Sequence, residues 1–189
     1  MKKGDFVYLN SKVRGLSIEV NDVGIIESIE SGVVDVDFIS KDQVVQIENE
    51  FLTVFDPKET GDLFEKKVCN VCHKILDTFN FDINQRGKNN RLVRRPSCKD
   101  CRIIIDGVKL STSERKRMKK VKPHFVKFTC PICEKTTIAG FTSKLVIDHD
   151  HKNGTARAWI CDSCNTGLGR FKDDVRLLEK AIEYLKSYD

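Results

Sequence analysis

Eight cysteines arranged as four Cys-x-x-Cys pairs, Cys69/Cys72, Cys98/Cys101, Cys130/Cys133 and Cys161/Cys164, constrain this chain more than any other feature. One tight knuckle lets two sulfurs reach one ion. Knuckles separated by 25 residues in the first set and 27 in the second fit the closed, four-thiolate tetrahedron of structural zinc. A disulfide framework is the competing use of so many cysteines. The first residues, MKKGDFVYLN, contain no apolar run that could act as a signal peptide, which favours a reducing, cytoplasmic setting and metal over disulfides. Cys69-Asn-Val-Cys72-His73 also matches a haem-attachment pattern, but Cys98 and Cys101 stand ready as zinc partners, and His73 is read as a surface residue or a support for the cluster.

The spacing also reveals a duplication. Cys69 and Cys72 recur 61 residues later as Cys130 and Cys133, and Cys98 and Cys101 recur 63 residues later as Cys161 and Cys164. Each copy reads as a knuckle, a hairpin, a second knuckle and then helix. The first hairpin runs from FNFDI through RGKNN to RLVRR, the second from SKLVID through KNG to TARAWI. Ser111 and Glu114 have capping-box spacing and start a helix in STSERKRMKKV. Phe171, Val175, Leu178, Ile182 and Leu185 form one apolar stripe on a C-terminal helix, expected to pack into a core.

Ahead of the cysteines, five β-type runs (DFVYLN, VGIIESIE, GVVDVDF, QVVQI, FLTVF) alternate with turn residues, the pattern of a small antiparallel, SH3-like barrel. Pro57 and Gly61 mark DPKETGD as a linker. The expected organisation is α+β: a small β-barrel over 1–58, a basic zinc repeat over 63–125 and a second zinc repeat over 126–189. The barrel reads as a subunit contact or a positioning module.

Charge divides the same way. Residues 1–60 hold six Lys/Arg against twelve Asp/Glu, while residues 85–122 hold fourteen Lys/Arg against only Asp100, Asp106 and Glu114. Such a concentration suits a polyanion, with nucleic acid the first expectation. No run approaches the roughly 20 apolar residues of a membrane helix.

The chemistry concentrates in residues 148–165, DHDHKNGTARAWICDSCN. If SKLVID and TARAWI pair, Asp148 and His149 end one strand and face the helix that carries Asn165, pinned beside the hairpin by Cys161 and Cys164. Two hard oxygen donors, the Asp148 carboxylate and the Asn165 amide, suit Mg2+ (or Mn2+) completed by waters and substrate phosphate. His149, on the opposite side of the strand, can take a proton from an attacking water. The reaction expected is phosphodiester hydrolysis.

On CPIC, DHDH, NGTARAWICDSCNTGLG and DDVRLLEKAIEYL, residues 130–188 resemble the ββα-metal nuclease superfamily, also called HNH or His-metal finger, in its recombination endonuclease VII branch. The resemblance implies that Asp148 and Asn165 bind the divalent metal, that His149 is the general base, that the cysteines hold structural zinc and that Arg157 approaches a phosphate. Asp150 and His151 stay open: one of them supports the hairpin or the water shell, and His151 falls on the His149 side, where it could exchange roles with it. In the first copy, Gln85, Arg86, Gly87 and Lys88 stand where Asp148 to His151 stand in the second, and Arg102 stands for Asn165. That copy keeps the thiolates without the catalytic groups, so Arg86, Lys88, Arg94, Arg95 and Arg102 become candidates for DNA contact. An active unit with an inactive basic sister resembles a small type II restriction enzyme of this class, for which one site per chain implies a homodimer. A structure-selective nuclease and a non-cutting zinc DNA-binding protein are the other readings.

Overall fold

The computed structural model describes residues 1–41 and 43–188. By internal contacts the chain divides into two compact units, Met1–Ile103 and Ile104–Asp189.

The first unit opens with β1 (Phe6–Leu9), β2 (Val23–Glu30), β3 (Val33–Phe38), β4 (Gln43–Glu48) and β5 (Leu52–Val54), so each β-type run of the sequence forms a strand. They make one antiparallel sheet in the order β4-β3-β2-β1-β5. Alternation sets the inner face: in β3, Val34, Val36 and Phe38 are buried while Asp35 and Asp37 point the other way. With Val7, Leu9, Ile26, Val45, Ile47 and Leu52 they form the core. Ser31 and Gly32, both at positive φ, supply the two-residue turn from β2 to β3. The expected closed barrel does not form. β5 is three residues long and pairs with β1, β4 pairs with β3, and no ladder joins these two edges among the described residues.

The first zinc repeat continues with β6 (Lys66–Val68), β7 (Ile75–Asp77), β8 (Ile83–Arg86), β9 (Leu92–Arg94), α1 (Lys99–Asp106) and α2 (Thr112–Lys120). The second repeats that order as β10 (Lys127–Thr129), β11 (Thr136–Ile138), β12 (Leu145–His149), β13 (Ala156–Cys161), α3 (Asp162–Arg170) and α4 (Val175–Lys186). The knuckles match in detail. The residue after each first Cys-x-x-Cys, His73 or Glu134, takes a left-handed φ of 54° or 56°, and its N–H donates to the carbonyl of Cys69 or Cys130. His73 therefore serves the turn through its backbone.

Two helices depart from simple expectation. Ser111 caps α2 by accepting from Glu114 N–H, as its spacing implies, but the helix packs on β13, within the second unit. Met118 is buried there, and its carbonyl accepts from Trp159 Nε1 at 3.1 Å. In α4 the apolar stripe is not core: Val175, Ile182 and Leu185 are more than half exposed, and no residue of the helix is buried. Only one end of the stripe has cover, where Leu178 and Phe171 share a cavity with Leu168 of α3. Among the described residues no helix is long and apolar enough to cross a membrane.

Candidate active site and metal centres

Cys69, Cys72, Cys98 and Cys101 bring their sulfurs within 4.8 Å of one another, and so do Cys130, Cys133, Cys161 and Cys164. Tetrahedral zinc with bonds of about 2.3 Å requires sulfurs about 3.8 Å apart. The Sγ atoms of Cys72 and Cys98 are 3.9 Å apart, as are those of Cys133 and Cys161. Each cluster therefore fits one zinc ion with all four positions filled by sulfur, a structural arrangement with no open place for substrate. The polypeptide prepares some thiolates in advance. Burial pushes the Cys130 thiol up, but N–H groups of Cys133, Cys161 and Ile132 aimed at the sulfur outweigh it and leave the group at about 6. Cys69 is brought to about 7 against the same burial by N–H groups of Cys72, Cys98 and Val71, whereas burial drives Cys72 up to about 11.

The second hairpin holds the other constellation. β12 and β13 pair regularly from Leu145/Cys161 to Asp148/Ala158, after which His149 pairs with Ala156 and Arg157 is left as an extra residue. This bulge changes where Arg157 points. Strict alternation would send it to the face opposite Ala158 and Asp148; from the bulge its Nη1 lies 3.3 and 3.4 Å from the two oxygens of Asp148. Asp148 is buried, so its carboxylate depends on such partners. The bulge also frees the Ala156 N–H from the ladder, and Glu114 of α2 accepts it at 3.0 Å. Arg117 holds that carboxylate through two hydrogen bonds, at 3.0 and 2.7 Å. Asp150 is occupied by the turn: it accepts from Lys152 N–H at 2.7 Å and from Asn153 Nδ2 at 3.2 Å.

His149 is half-buried, its ring 4.7 Å from that of His151, and the backbone of Val108 lies beside it. Burial, reinforced by the nearby His151, holds its pKa below the ordinary 6.5, which favours the neutral imidazole. It opens on a cavity of about 520 Å³ whose walls include Lys109, Arg115, Lys119, Trp159 and His151. Val108 is placed by Gly107, which has φ 56° and lies against the carbonyl of His151, where a Cβ would collide. Val108 N–H in turn donates to that carbonyl at 2.7 Å. Gly107→Ala is therefore expected to displace the partner of His149 and lower kcat by about 10²-fold, as for a misplaced catalytic group. Single-turnover cleavage by a variant that retains its full zinc content is the measurement.

Asn165 sits in the first turn of α3, directly after Cys164. Cys161 caps this helix, its sulfur accepting from Cys164 N–H at 3.4 Å, and α3 packs on both β12 and β13. The second cluster thus ties the amide-bearing helix to β13, the partner of the strand that carries Asp148. Asp148 offers a buried carboxylate and Asn165 a half-buried amide, hard oxygen donors of the kind that suit a magnesium-type ion.

In the first unit, Arg86 ends β8 and Lys88 follows in the turn, both exposed. Arg95 and Arg102 are half-buried. Arg94 is engaged internally: its guanidinium donates to the Phe81 carbonyl at 2.7 Å and its N–H to Asp62 at 3.1 Å. Sequence reasoning did not single out Gly107, Val108 and Asp173 as site residues, and it knew Glu114 only as part of a capping box.

Comparison with known proteins agrees with this geometry. A family model described as recombination endonuclease VII matches residues 107–187, starting at the glycine that positions Val108. A second, described as a His-Me finger endonuclease beta4-alpha2 domain, matches residues 56–107. The Gene 59 proteins of Mycobacterium phages D29 and L5 are each 40% identical, over 58 and 57 residues, which is 30% of this chain and 34% of theirs. The chain thus spans about a third of the length of these curated relatives. The crystal structure of the ββα-Me type II restriction endonuclease Hpy99I is 46% identical, covers 100% of both chains and superposes with a TM-score of 0.95. With a buried Asp beside a His on a hairpin and helix joined by a four-cysteine cluster, and with this end-to-end likeness, the chain belongs to the ββα-Me, or His-Me finger, family of metal-dependent endonucleases.

Proposed function

We propose that the chain is a type II restriction endonuclease that cuts both strands of a specific DNA sequence as a homodimer. The observation that carries the reading is the end-to-end likeness to Hpy99I, which extends through the two modules that precede the nuclease motif. His149 is the general base: neutral at working pH, it takes the proton of the attacking water while the Val108 backbone fixes its ring. Asp148 and Asn165 hold the divalent cation, and Arg157, re-aimed by the bulge, meets a phosphate oxygen. When bound there, Mg2+ or Mn2+ supplies charge stabilisation to the reacting phosphodiester. Arg86, Lys88, Arg95 and Arg102 of the sister repeat contact the DNA, and Arg94 supports that surface from within. Eight free thiols suit a reducing cytoplasm, where they stay available to zinc.

One active site per chain cuts one strand, so a two-fold pair on a palindromic target is the economical assembly. Digestion of a long linear DNA with Mg2+ tests this, the expected result being a fixed set of discrete fragments. The likeness to recombination endonuclease VII over 107–187 favours a second reading, a structure-selective nuclease. Cleavage confined to branched DNA would support that one, and no cleavage by zinc-loaded protein would remove both.

A further inference from the structure

Arg157 does not serve Asp148 alone. Its Nη1 also lies 3.5 Å from Oδ1 of Asp173, whose Oδ2 is 3.3 Å from His151 Nδ1. One guanidinium is therefore shared by two carboxylates whose side chains are 9% and 12% exposed, while the arginine itself is 42% exposed. Asp173 lies in the turn between α3 and α4, where Lys172 and Asp173 both have a left-handed φ, 57° and 52°. Consecutive non-glycine residues in this region are costly and persist only where their surroundings hold them. Capping does not account for Asp173, because the neighbouring Asp174 caps α4 by accepting from Arg176 N–H at 2.9 Å. The turn instead aims the Asp173 carboxylate back at the hairpin, with its own N–H fixed on the Leu168 carbonyl.

We propose that Asp173 is a positioning residue, the second anchor that keeps Arg157 at the rim of the site when a divalent cation takes Asp148. The inference rests on the reading of Asp148 as a ligand of that cation. A cation on Asp148 repels the guanidinium, and an exposed arginine with no other partner would move into solvent. Held by Asp173 through one nitrogen, Arg157 keeps its remaining N–H donors for a phosphate oxygen. His151 braces the other oxygen of the anchor, which gives it a task apart from proton transfer.

The test is Mn2+ binding to the zinc-loaded chain without DNA, followed by the electron paramagnetic resonance signal of free Mn2+. In Asp173→Asn the guanidinium is left to Asp148 alone and competes harder for it, so Mn2+ binding is expected to weaken about tenfold, the scale of one charge-assisted hydrogen bond. Arg157→Ala removes the competitor and should bind at least as tightly as wild type. The double variant should then bind like Arg157→Ala. A double variant weakened by the same factor as Asp173→Asn would mean that Asp173 acts through its own charge, and the proposal would be overturned, as it would by wild-type affinity in Asp173→Asn. Asp148→Asn separates the two levels: if it leaves Mn2+ binding intact, the ligand reading fails, whereas lost binding without the arginine coupling defeats only the role of Asp173. Should Asp173→Asn lose zinc, Asp173→Ser takes its place in the same cycle.

Discussion

His149→Ala is expected to lower DNA cleavage by about 10²- to 10⁴-fold, the usual contribution of a positioned general base. Zinc content should stay at two ions per chain, because His149 touches neither thiolate cluster. DNA binding should persist, because the proposed DNA contacts are arginines and a lysine and do not include His149. The assay is single-turnover cleavage beside zinc analysis and a filter-binding measurement; retained turnover would move the base to His151. The pH profile sharpens the expectation. Burial, with His151 acting in the same direction, holds the His149 pKa below 6.5, and only the neutral ring can accept a proton. The acid limb of kcat/KM should therefore be centred below pH 6.5, with activity maintained above it. Replacing His151 with Gln removes the neighbour that lowers the His149 pKa and should move the limb upward. A wild-type limb centred above 6.5 would count against the buried, neutral base.

What the sequence made legible follows from which interactions are local. The clusters were readable because Cys-x-x-Cys geometry is set within a few residues, and the duplication because its cysteine spacing is nearly constant. The hairpin that carries Asp148 and His149 was readable from alternation around Asn153-Gly154. The bulge at Arg157 was not: it arises where the Ala156 N–H leaves the ladder for Glu114, 42 positions away in sequence, and no local pattern encodes that partner. The same holds for Val108, supplied to His149 from a segment that by spacing belonged with the first repeat. The SH3-like barrel is not confirmed, for a related reason. Five alternating strands fix an inner face, but closure depends on whether the two edge strands meet, and β5 is too short to add a second partner. The α4 stripe shows the converse, since periodicity establishes an amphipathic helix without establishing that anything in the chain covers its apolar face.

Cys130→Ala should undo the second unit altogether. Its buried apolar side chains among the described residues are few, Met118, Ala139, Ala156 and Ile160 beside Cys130 itself, whereas the N-terminal module buries a contiguous cluster of ten. So thin a core cannot offset the conformational entropy of ordering the chain, and the second cluster is the remaining staple. Structural zinc contributes about 10 kcal/mol or more in small modules, as large as the whole net stability of an ordinary domain. Opening the tetrahedron at Cys130 removes the best prepared thiolate, the one its backbone N–H partners hold at about 6, and releases the knuckle from Cys161 and Cys164. The hairpin then loses its tie to α3, the helix that carries Asn165. Trp159 is the only tryptophan of the chain and lies on β13, so its emission reports this unit selectively. In Cys130→Ala a red-shifted emission, one zinc per chain in place of two and no cleavage are expected together, while the N-terminal sheet keeps its own cooperative transition. A variant that binds one zinc yet keeps the native Trp159 emission would show that packing of α2 on β13 suffices to hold the hairpin, and would shift the weight of stability from the metal to that contact.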